Sequence, residues 1–171
     1  VITIGNNAFS DCNNLTSITL PESITEIGKE AFRDCKSLKS IALPKEITKI
    51  NEYTFCGCDS LTSVALPESV TEIGKNAFLN CTSLINIVFP EGVTTIGEDA
   101  FYGCRSLINI TFPEEVTTIG RDAFAGCNSL TSVTLPKGIT EINAFSGCSN
   151  LTSVTFSEGI TTIGEDAFYG C

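Results

Sequence analysis

Histidine and methionine are absent from the 171 residues, and no stretch of about 18 consecutive apolar residues occurs. Without such a stretch, no segment is expected to span a bilayer. Without histidine, the chain lacks the side chain most often used as a general base and metal ligand. Basic residues are also scarce, with 10 Lys and Arg against 20 Asp and Glu and a net charge of −10. Because that charge repels phosphate backbones and anionic lipid, nucleic acid and membrane surfaces are poor candidate partners.

Groups suited to catalysis are not gathered anywhere in the sequence. A catalytic site needs several different titratable side chains brought together. The carboxylates here recur instead along repeating positions, as in the pairs Glu98–Asp99 and Glu165–Asp166. Such pairs are typical of solvated acidic residues at the start of a turn. The sequence therefore predicts a protein that is not an enzyme and that uses no cofactor or metal.

The cysteines carry the main periodicity of the chain. Eight of the nine lie 23 residues apart, with one interval of 21: Cys12, Cys35, Cys58, Cys81, Cys104, Cys127, Cys148 and Cys171. The residues between them repeat as well, so that each position of the unit forms a column of equivalent residues. A fixed period in the twenties marks a solenoid, in which each turn buries its apolar face only against its neighbours.

Each unit contains a short strand followed by a proline. In the unit that begins at Cys81, the inward residues Ile87 and Phe89 alternate with outward ones, and this period of two predicts a strand with one buried face. All six prolines occupy the position after that strand: Pro21, Pro44, Pro67, Pro90, Pro113 and Pro136, with Ser157 in the remaining unit. Because proline has no N–H to donate, it should end the strand at the same place in every turn.

Two columns consist mostly of glycine. The first is Gly5, Gly28, Asn51, Gly74, Gly97, Gly120, Asn143 and Gly164, and the second is Asp11, Asp34, Gly57, Asn80, Gly103, Gly126, Gly147 and Gly170. Since Asn tolerates a left-handed backbone better than most residues, both columns are predicted to have positive φ. The Ala-Phe segment between them predicts one short helical or 3₁₀ turn.

The spacing L-x-x-I-x-L-x-x-x-V-x-x-I-G-x-x-A-F-x-x-C resembles the BspA-like, or treponemal-type, leucine-rich repeat along the whole chain. The resemblance implies an α/β repeat fold, a leucine-rich repeat solenoid of about seven 23-residue turns. Parallel β-strands would form its concave face, and short strands and helical or 3₁₀ turns its convex side. We expect residues 1–171 to form a single solenoid domain. Because the chain opens mid-unit and neither end carries a polar cap, we expect it to be part of a longer array.

One unit departs from this pattern. The segment Ile142-Asn143-Ala144 lacks the two residues that elsewhere separate the first glycine column from the alanine. We expect this deletion to make one convex turn irregular and to leave the stack of turns intact.

The phenylalanine and cysteine columns are predicted to form the core. The first comprises Phe9, Phe32, Phe55, Phe78, Phe101, Phe124, Phe145 and Phe168, and rings at a strict period favour stacking. A zinc site would need clustered ligands, whereas these cysteines occur once per turn. Side chains of one column point the same way, so their Cβ atoms should lie about 5 Å apart, not the roughly 3.8 Å of a disulfide. We expect buried, reduced thiols.

The ninth cysteine, Cys56, lies outside this column. Its position is occupied elsewhere by residues as different as Arg33, Leu79 and Tyr102. Such variety predicts contact with solvent, and therefore an exposed thiol without a histidine to activate it.

Threonine fills another column completely: Thr25, Thr48, Thr71, Thr94, Thr117, Thr140 and Thr161. Rows of threonine on a flat face can bind ice, but that function would need neighbouring flat threonine columns. The preferred interpretation is a hydroxyl packed within the wall and bonded along the ladder. Four N-x-S/T sequons, at Asn14, Asn80, Asn109 and Asn150, arise where Asn replaces the more common Ser.

A candidate binding face follows from the outward positions of the strand. These are mostly Ser, Asn, Thr and Ala, which leave room for close packing of a partner. In the middle of the chain Ile85, Val88 and Ile108 replace Thr, Ala or Lys, and an apolar cluster ringed by polar residues is a candidate contact site. The predicted site consists of Ile85, Val88, Ile108, Asn86, Asn109 and Thr111, although the cluster could also be neutral variation.

The sequence thus favours a non-enzymatic protein-binding module that acts through the concave sheet. The BspA-like resemblance implies a cell-surface or secreted, adhesin-like protein whose partners are extracellular-matrix or host cell-surface proteins. The alternative is a structural spacer that carries a separate functional domain.

Overall fold

The computed structural model describes residues 2–171, which form a parallel-strand β-solenoid of about seven turns of about 23 residues. Thirteen strands of two or three residues lie in two rows within this range. The first row holds β3 (Ser40–Ala42), β5 (Ser63–Ala65), β7 (Asn86–Ile87), β10 (Ser132–Thr134) and β12 (Ser153–Thr155). The second row holds β1 (Thr3–Ile4), β2 (Glu26–Ile27), β4 (Lys49–Ile50), β6 (Glu72–Ile73), β8 (Thr95–Ile96), β9 (Thr118–Ile119), β11 (Glu141–Ile142) and β13 (Thr162–Ile163).

The first row corresponds to the strand predicted before each proline, although no strand forms before Pro21 and only an isolated bridge at Asn109 forms before Pro113. Its residues alternate as expected, with Ile41 buried and Ser40 and Ala42 exposed. Pairing is parallel and in register with the repeat, so that Ile41 lies opposite Val64. The three-residue strands end two positions before the proline, and the proline carbonyl then accepts a turn hydrogen bond, as from the Ile47 N–H to Pro44 O at 3.2 Å.

Pairing in the second row is interrupted at two places. One sheet has the order β4-β6-β8-β9, while β1-β2 and β11-β13 form separate pairs. Pairing is therefore lost between β2 and β4 and between β9 and β11. These are the two places where Asn51 and Asn143 replace glycine in the first glycine column.

That coincidence shows what the first glycine column does, and it corrects the prediction made from the sequence. The column does not have positive φ in residues 2–171. Its glycines instead pass very close to the preceding turn: a Cβ on Gly97 would lie 2.6 Å from the Lys75 nitrogen, and one on Gly74 would lie 2.7 Å from Ile50 O. Any side chain here must push two turns apart, and the strand pairing beside it is then lost.

Asn51 compensates for the lost pairing with its own side chain. In the glycine turns the glycine N–H donates to an isoleucine carbonyl of the preceding turn, as from Gly97 to Ile73 O at 2.8 Å. At Asn51 the side-chain Nδ2 donates instead, to Ile27 O at 2.7 Å. At this turn the carboxamide thus replaces the main-chain donor.

The connecting segment after each glycine is a run of turns, and residues 2–171 contain no helix where a helical or 3₁₀ turn was predicted. Its amides alternate between two kinds of partner. The N–H groups of Asn76, Phe78 and Asn80 donate to carbonyls of the next turn at 2.7–2.9 Å. Those of Ala77, Leu79 and Cys81 donate three residues back at 3.1–3.3 Å. Because every second amide is committed to the next turn, a continuous helix cannot form.

Positive φ occurs at two places in this segment. One is the second glycine column, as predicted, with φ of 57° at Asn80 and 71° at Gly103. The other was not predicted and lies two residues after the first glycine column, at Asn7, Glu30, Tyr53, Asn76, Asp99, Asp122 and Asp166, with φ of 53–58°. The two-residue deletion before Ala144 removes this left-handed residue from its turn.

The core continues through the deletion. Phenylalanine rings stack along the whole solenoid with centroids 5.0–5.7 Å apart, and the Phe124–Phe145 pair beside the deletion is 5.4 Å apart. The six rings from Phe32 to Phe145 are fully buried. Burial of each contributes roughly 1.5–3 kcal/mol. The expectation that the deletion spares the stack is therefore met.

The role of the first glycine column can be tested at Gly97. We expect Gly97→Ala to separate β6 from β8 and to lower the free energy of unfolding by about 1–3 kcal/mol. Gly97→Asn should be less harmful, because the carboxamide can donate to Ile73 O as Asn51 does to Ile27 O. Urea denaturation of the three proteins measures the difference, and equal losses for Ala and Asn would contradict this explanation.

Candidate functional site

The predicted site lies on the first strand row, where its three apolar side chains are exposed. Val88 is 78% exposed, and Ile85 and Ile108 are 40% and 43% exposed. The outward neighbours Asn86, Asn109 and Thr111 are exposed as well. The sequence therefore identified their exposure correctly.

Two adjacent turns bring these residues together. The Ile108 N–H donates to Ile85 O at 3.1 Å, and a parallel bridge joins Asn86 to Asn109. Val88 and Thr111 follow two residues later on the same two turns. All six predicted residues thus share one patch on the first strand row, which we call the apolar patch.

Strand pairing weakens at this patch. Pairing between β5 and β7 covers two residues instead of three, and the next turn is joined only by the Asn86–Asn109 bridge. Within residues 2–171 no strand pairing connects that turn to β10. The ends of neighbouring turns consequently diverge in the middle of the first row.

Two large aromatic residues, Phe89 and Phe112, lie where the turns diverge. Of the other turns, four have Leu at this position, for example Leu66 and Leu135, and one has Phe156. The Phe89 and Phe112 rings stack on each other with centroids 6.1 Å apart, wider than any spacing in the main phenylalanine column. Each ring also packs edge-on against that column, Phe89 on Phe101 at 5.7 Å and Phe112 on Phe124 at 5.6 Å. The larger rings thus accompany wider spacing on this row.

Shallow clefts open between the diverging turns. A cleft of about 450 Å³ lies between the turns of Phe89 and Phe112, and one of about 390 Å³ lies between those of Leu66 and Phe89. Val88 lines both clefts. These clefts were not predicted from the sequence, although the change from Leu to Phe in two successive units was a visible signal.

Glutamates border the clefts. Glu68 and Glu91 line the smaller of the two, and Glu91 also lines the larger. Glu114 lines a third cleft of about 310 Å³, together with Lys137. None of these glutamates makes an ion pair with another residue in the range 2–171.

A different cleft, of about 330 Å³, lies on the second strand row. It is lined by Thr117, Thr118, Ile119, Arg121, Thr140, Glu141 and Asn143. Pairing between β9 and β11 is lost here, beside Asn143 and the two-residue deletion. The residues that line this cleft are mainly polar and exposed. We attribute the cleft to this local break in the repeat.

The cysteine column forms a ladder of hydrogen bonds that the sequence analysis did not foresee. Each thiol from Cys35 onward donates to the phenylalanine carbonyl of the preceding turn, for example Cys81 Sγ to Phe55 O at 3.1 Å and Cys104 Sγ to Phe78 O at 3.2 Å. Every cysteine is unpaired, as predicted, and the ladder members Cys35 to Cys148 are buried. Burial raises the pKa of Cys35 to about 11 and that of Cys148 to about 12.

The structure overturns the prediction that Cys56 is exposed. Only 8% of its surface is accessible, and burial raises the pKa of its thiol to about 11. Cys56 is a small residue placed between Arg33 and Leu79 in the same column of the adjacent turns. The longer neighbours cover it, so variety in a column did not mean solvent contact for its smallest members.

The threonine column is bonded as predicted but is more exposed than predicted. Thr71, Thr94 and Thr117 each donate a side-chain hydroxyl to the main-chain carbonyl of the threonine one turn earlier, at 3.3–3.4 Å. All seven members are solvent-exposed rather than packed within the wall. Because the hydroxyls are engaged with the main chain, the column has a structural explanation that requires no ligand.

The described residues 2–171 contain no group of three or more metal-binding side chains arranged around a common point. The same residues form no helix that could cross a membrane. The four sequon asparagines, Asn14, Asn80, Asn109 and Asn150, are all exposed.

Comparison with known proteins identifies the repeat. The model of the BspA type leucine rich repeat region matches residues 1–107 and 71–171, with six copies. No curated protein matches the chain. Among solved structures, a leucine-rich repeat protein of T. pallidum is 32% identical, with a TM-score of 0.88 over 99% of this chain and 80% of its own.

Two further solved structures are similar. A leucine rich cell surface protein of Faecalibacterium prausnitzii is 30% identical, with a TM-score of 0.69, and this chain covers 55% of its length. The pneumococcal vaccine antigen PcpA is 23% identical, with a TM-score of 0.62 over 95% of this chain and 48% of its own. At that identity the antigen is evidence of a shared fold alone.

Thiol labelling can test the burial of the cysteines. In the native protein we expect a maleimide to modify Cys171, which is exposed, and the partly buried Cys12 before any other cysteine. Cys56 and the ladder from Cys35 to Cys148 should react only after unfolding. Mass spectrometry of peptides after short labelling times gives the order, and early modification of Cys56 would contradict the structure.

The ladder should also make stability depend on pH. Burial raises the pKa of the Cys81 thiol well above its ordinary value, while in the unfolded chain it is about 8.5. Above that pH the unfolded chain loses a proton that the folded chain keeps, so the free energy of unfolding should fall by about 1.4 kcal/mol per pH unit for each such thiol. We expect the free energy of unfolding of the Cys81→Ala variant to fall with pH less steeply than that of the wild type, by about 1.4 kcal/mol per pH unit. Denaturation at pH 8, 9 and 10 measures both slopes. An unchanged slope would show that this thiol is not held protonated.

Proposed function

We propose that this chain, which belongs to the BspA-type leucine-rich repeat family, is a non-enzymatic protein-binding module of a cell-surface or secreted, adhesin-like protein. The family match and the Faecalibacterium cell surface relative support the location. The partner is an extracellular-matrix or host cell-surface protein. Binding occurs on the first strand row, the concave sheet of the family's solenoid.

The observation that carries this proposal is the apolar patch. Elsewhere the outward positions of the first row are largely small or polar, as at Ser40, Ala42 and Ser63. At the patch an isoleucine, a valine and a second isoleucine face water on two adjacent turns. An exposed apolar cluster of this kind within a polar surface is typical of a protein contact site. The clefts on either side of Val88 add shape to what is otherwise a flat sheet.

The uninterrupted phenylalanine stack favours a second candidate function. Eight rings in face-to-face contact, from Phe9 to Phe168, would suit a stiff spacer that holds a separate functional domain away from the cell. A spacer does not require the exposed patch, so changes to the patch distinguish the two functions.

The test uses residues that the repeat itself provides. Val88→Thr and Ile108→Thr place at each position the residue found in the same column at Thr111 and Thr131, so the fold should be retained. We expect the double variant to bind immobilised matrix proteins such as fibronectin, laminin and collagen at least tenfold more weakly than the wild type, about 1.4 kcal/mol. Surface plasmon resonance measures the affinities.

The control for this experiment is Glu165→Ala, at an exposed position far from the patch. Its affinity and its melting temperature should equal those of the wild type. If the double variant binds as tightly as this control, the apolar patch is not the contact site and the spacer function is favoured.

A further inference from the structure

The glutamates beside the clefts form a run of three like charges in one column, longer than any other such run in residues 2–171. Side chains of one column lie about 4.8 Å apart in successive turns, so like charges in a column repel. In the column after the first glycine, charges alternate through Lys29, Glu52, Lys75, Glu98 and Arg121, and two cross-turn ion pairs of 2.9 Å result. In the column after the proline, Glu68, Glu91 and Glu114 follow one another directly.

These three glutamates occupy the same turns as the apolar patch and its clefts. All three are exposed, and none has an ion-pair partner within residues 2–171. Lys45 and Lys137 flank the run in the same column, but neither forms an ion pair with it, and Glu91 in the middle has a glutamate on both sides. A cationic group supplied from outside would relieve the repulsion between these glutamates, and a peptide that delivered one here would also meet Val88 and the rings of Phe89 and Phe112.

The dimensions of the clefts indicate the form of that peptide. The clefts lie between successive turns, and the Phe89 and Phe112 rings that flank the larger one are 6.1 Å apart. In an extended chain, residues i and i+2 point the same way and lie about 6.6 Å apart. An extended segment that runs across the turns can therefore place one side chain in each of two neighbouring clefts. Volumes of about 390 and 450 Å³ leave room for an aliphatic or aromatic side chain in each.

We propose that the clefts on either side of Val88 bind an extended segment of a partner protein that has two apolar residues at positions i and i+2 and Lys or Arg beside them. The apolar side chains enter the two clefts, and the cations pair with Glu68, Glu91 and Glu114. This inference rests on the proposed function and names the partner chemistry for the same site. A second copy of this chain is a poorer occupant, because its own patch carries the same glutamates.

The experiment selects displayed random heptapeptides on the wild-type chain and then measures the enriched peptides, as synthetic compounds, against three variants. Val88→Thr/Ile108→Thr removes the apolar patch, and Glu68→Gln/Glu91→Gln removes charge from the clefts. Glu22→Gln/Glu158→Gln is the matched control, since it changes the same column in turns outside the patch. Fluorescence anisotropy at low and at high salt gives the affinities.

We expect enriched peptides with net positive charge and apolar residues at i and i+2. Their affinity should fall at least tenfold in the valine–isoleucine variant and at least fivefold in the Glu68–Glu91 variant at low salt, with little change in the control. The loss in the Glu68–Glu91 variant should shrink at high salt, because added ions screen exposed charges.

Three other results would overturn the inference, and they differ in what they say about the proposed function. Neutral or acidic peptides that still depend on Val88 and Ile108 would leave the site intact and refute the basic partner. Peptides that bind the valine–isoleucine variant normally, or no enrichment at all, would count against the site as well. Dimerisation of the chain that is lost in the valine–isoleucine variant, measured by sedimentation, would make a second copy the occupant.

Discussion

Main-chain hydrogen bonds between successive turns hold them about 4.8 Å apart, and every column of side chains has to fit that spacing. A residue type can recur along a column only if its side chain can pack against the same side chain in the next turn. Phenylalanine does so by stacking, cysteine by donating from its thiol to the carbonyl of the preceding turn, and threonine by the same type of bond from its hydroxyl. Charged residues pair along a column where their signs alternate, as in the run from Lys29 to Arg121. The first glycine column is the extreme case, because the main chain of the preceding turn occupies the space that a side chain would need.

The same hydrogen bonds determine the shape of the connecting segments. A helix would direct all its amides along its own axis, whereas here alternate amides are needed to hold the next turn. The chain meets both demands by placing left-handed residues such as Asp99 and Gly103 between short turns. Those residues reverse the direction of the backbone often enough for every second N–H to point along the solenoid. The acidic residue before Ala100 is therefore part of a turn and does not begin a helix.

The sequence was sufficient to predict features that depend on the period alone. The buried phenylalanine column, the unpaired thiols and the adjacency of Ile85 and Ile108 follow from the repeat of 23 residues, and the structure contains each of them. The strand expected in front of every proline forms before four of the six. What could not be predicted depends on contacts between unlike residues in neighbouring turns. Asn can replace Gly for two reasons: it tolerates a left-handed backbone, and its carboxamide can replace a main-chain donor. The replacement of Gly by Asn in the sequence therefore could not show which reason applies in the first glycine column. Cys56 is covered because Arg33 and Leu79 are longer than it is, which is a property of its neighbours rather than of its column.

This distinction bears on where a repeat protein can acquire specificity. A perfectly repeated surface offers the same environment at every turn, so a partner could shift by one turn at little cost in free energy. Departures from the repeat remove that degeneracy: Phe89 and Phe112 widen the spacing, Val88 faces water, and three glutamates follow one another without compensation. These departures fall on the same few turns of the first strand row. The deletion before Ala144 also breaks the repeat, but the cleft beside it is mainly polar. Within residues 2–171, only the middle of the first row combines an apolar surface, a shaped cleft and one sign of charge. That combination favours it as the place where a partner is recognised in a single register.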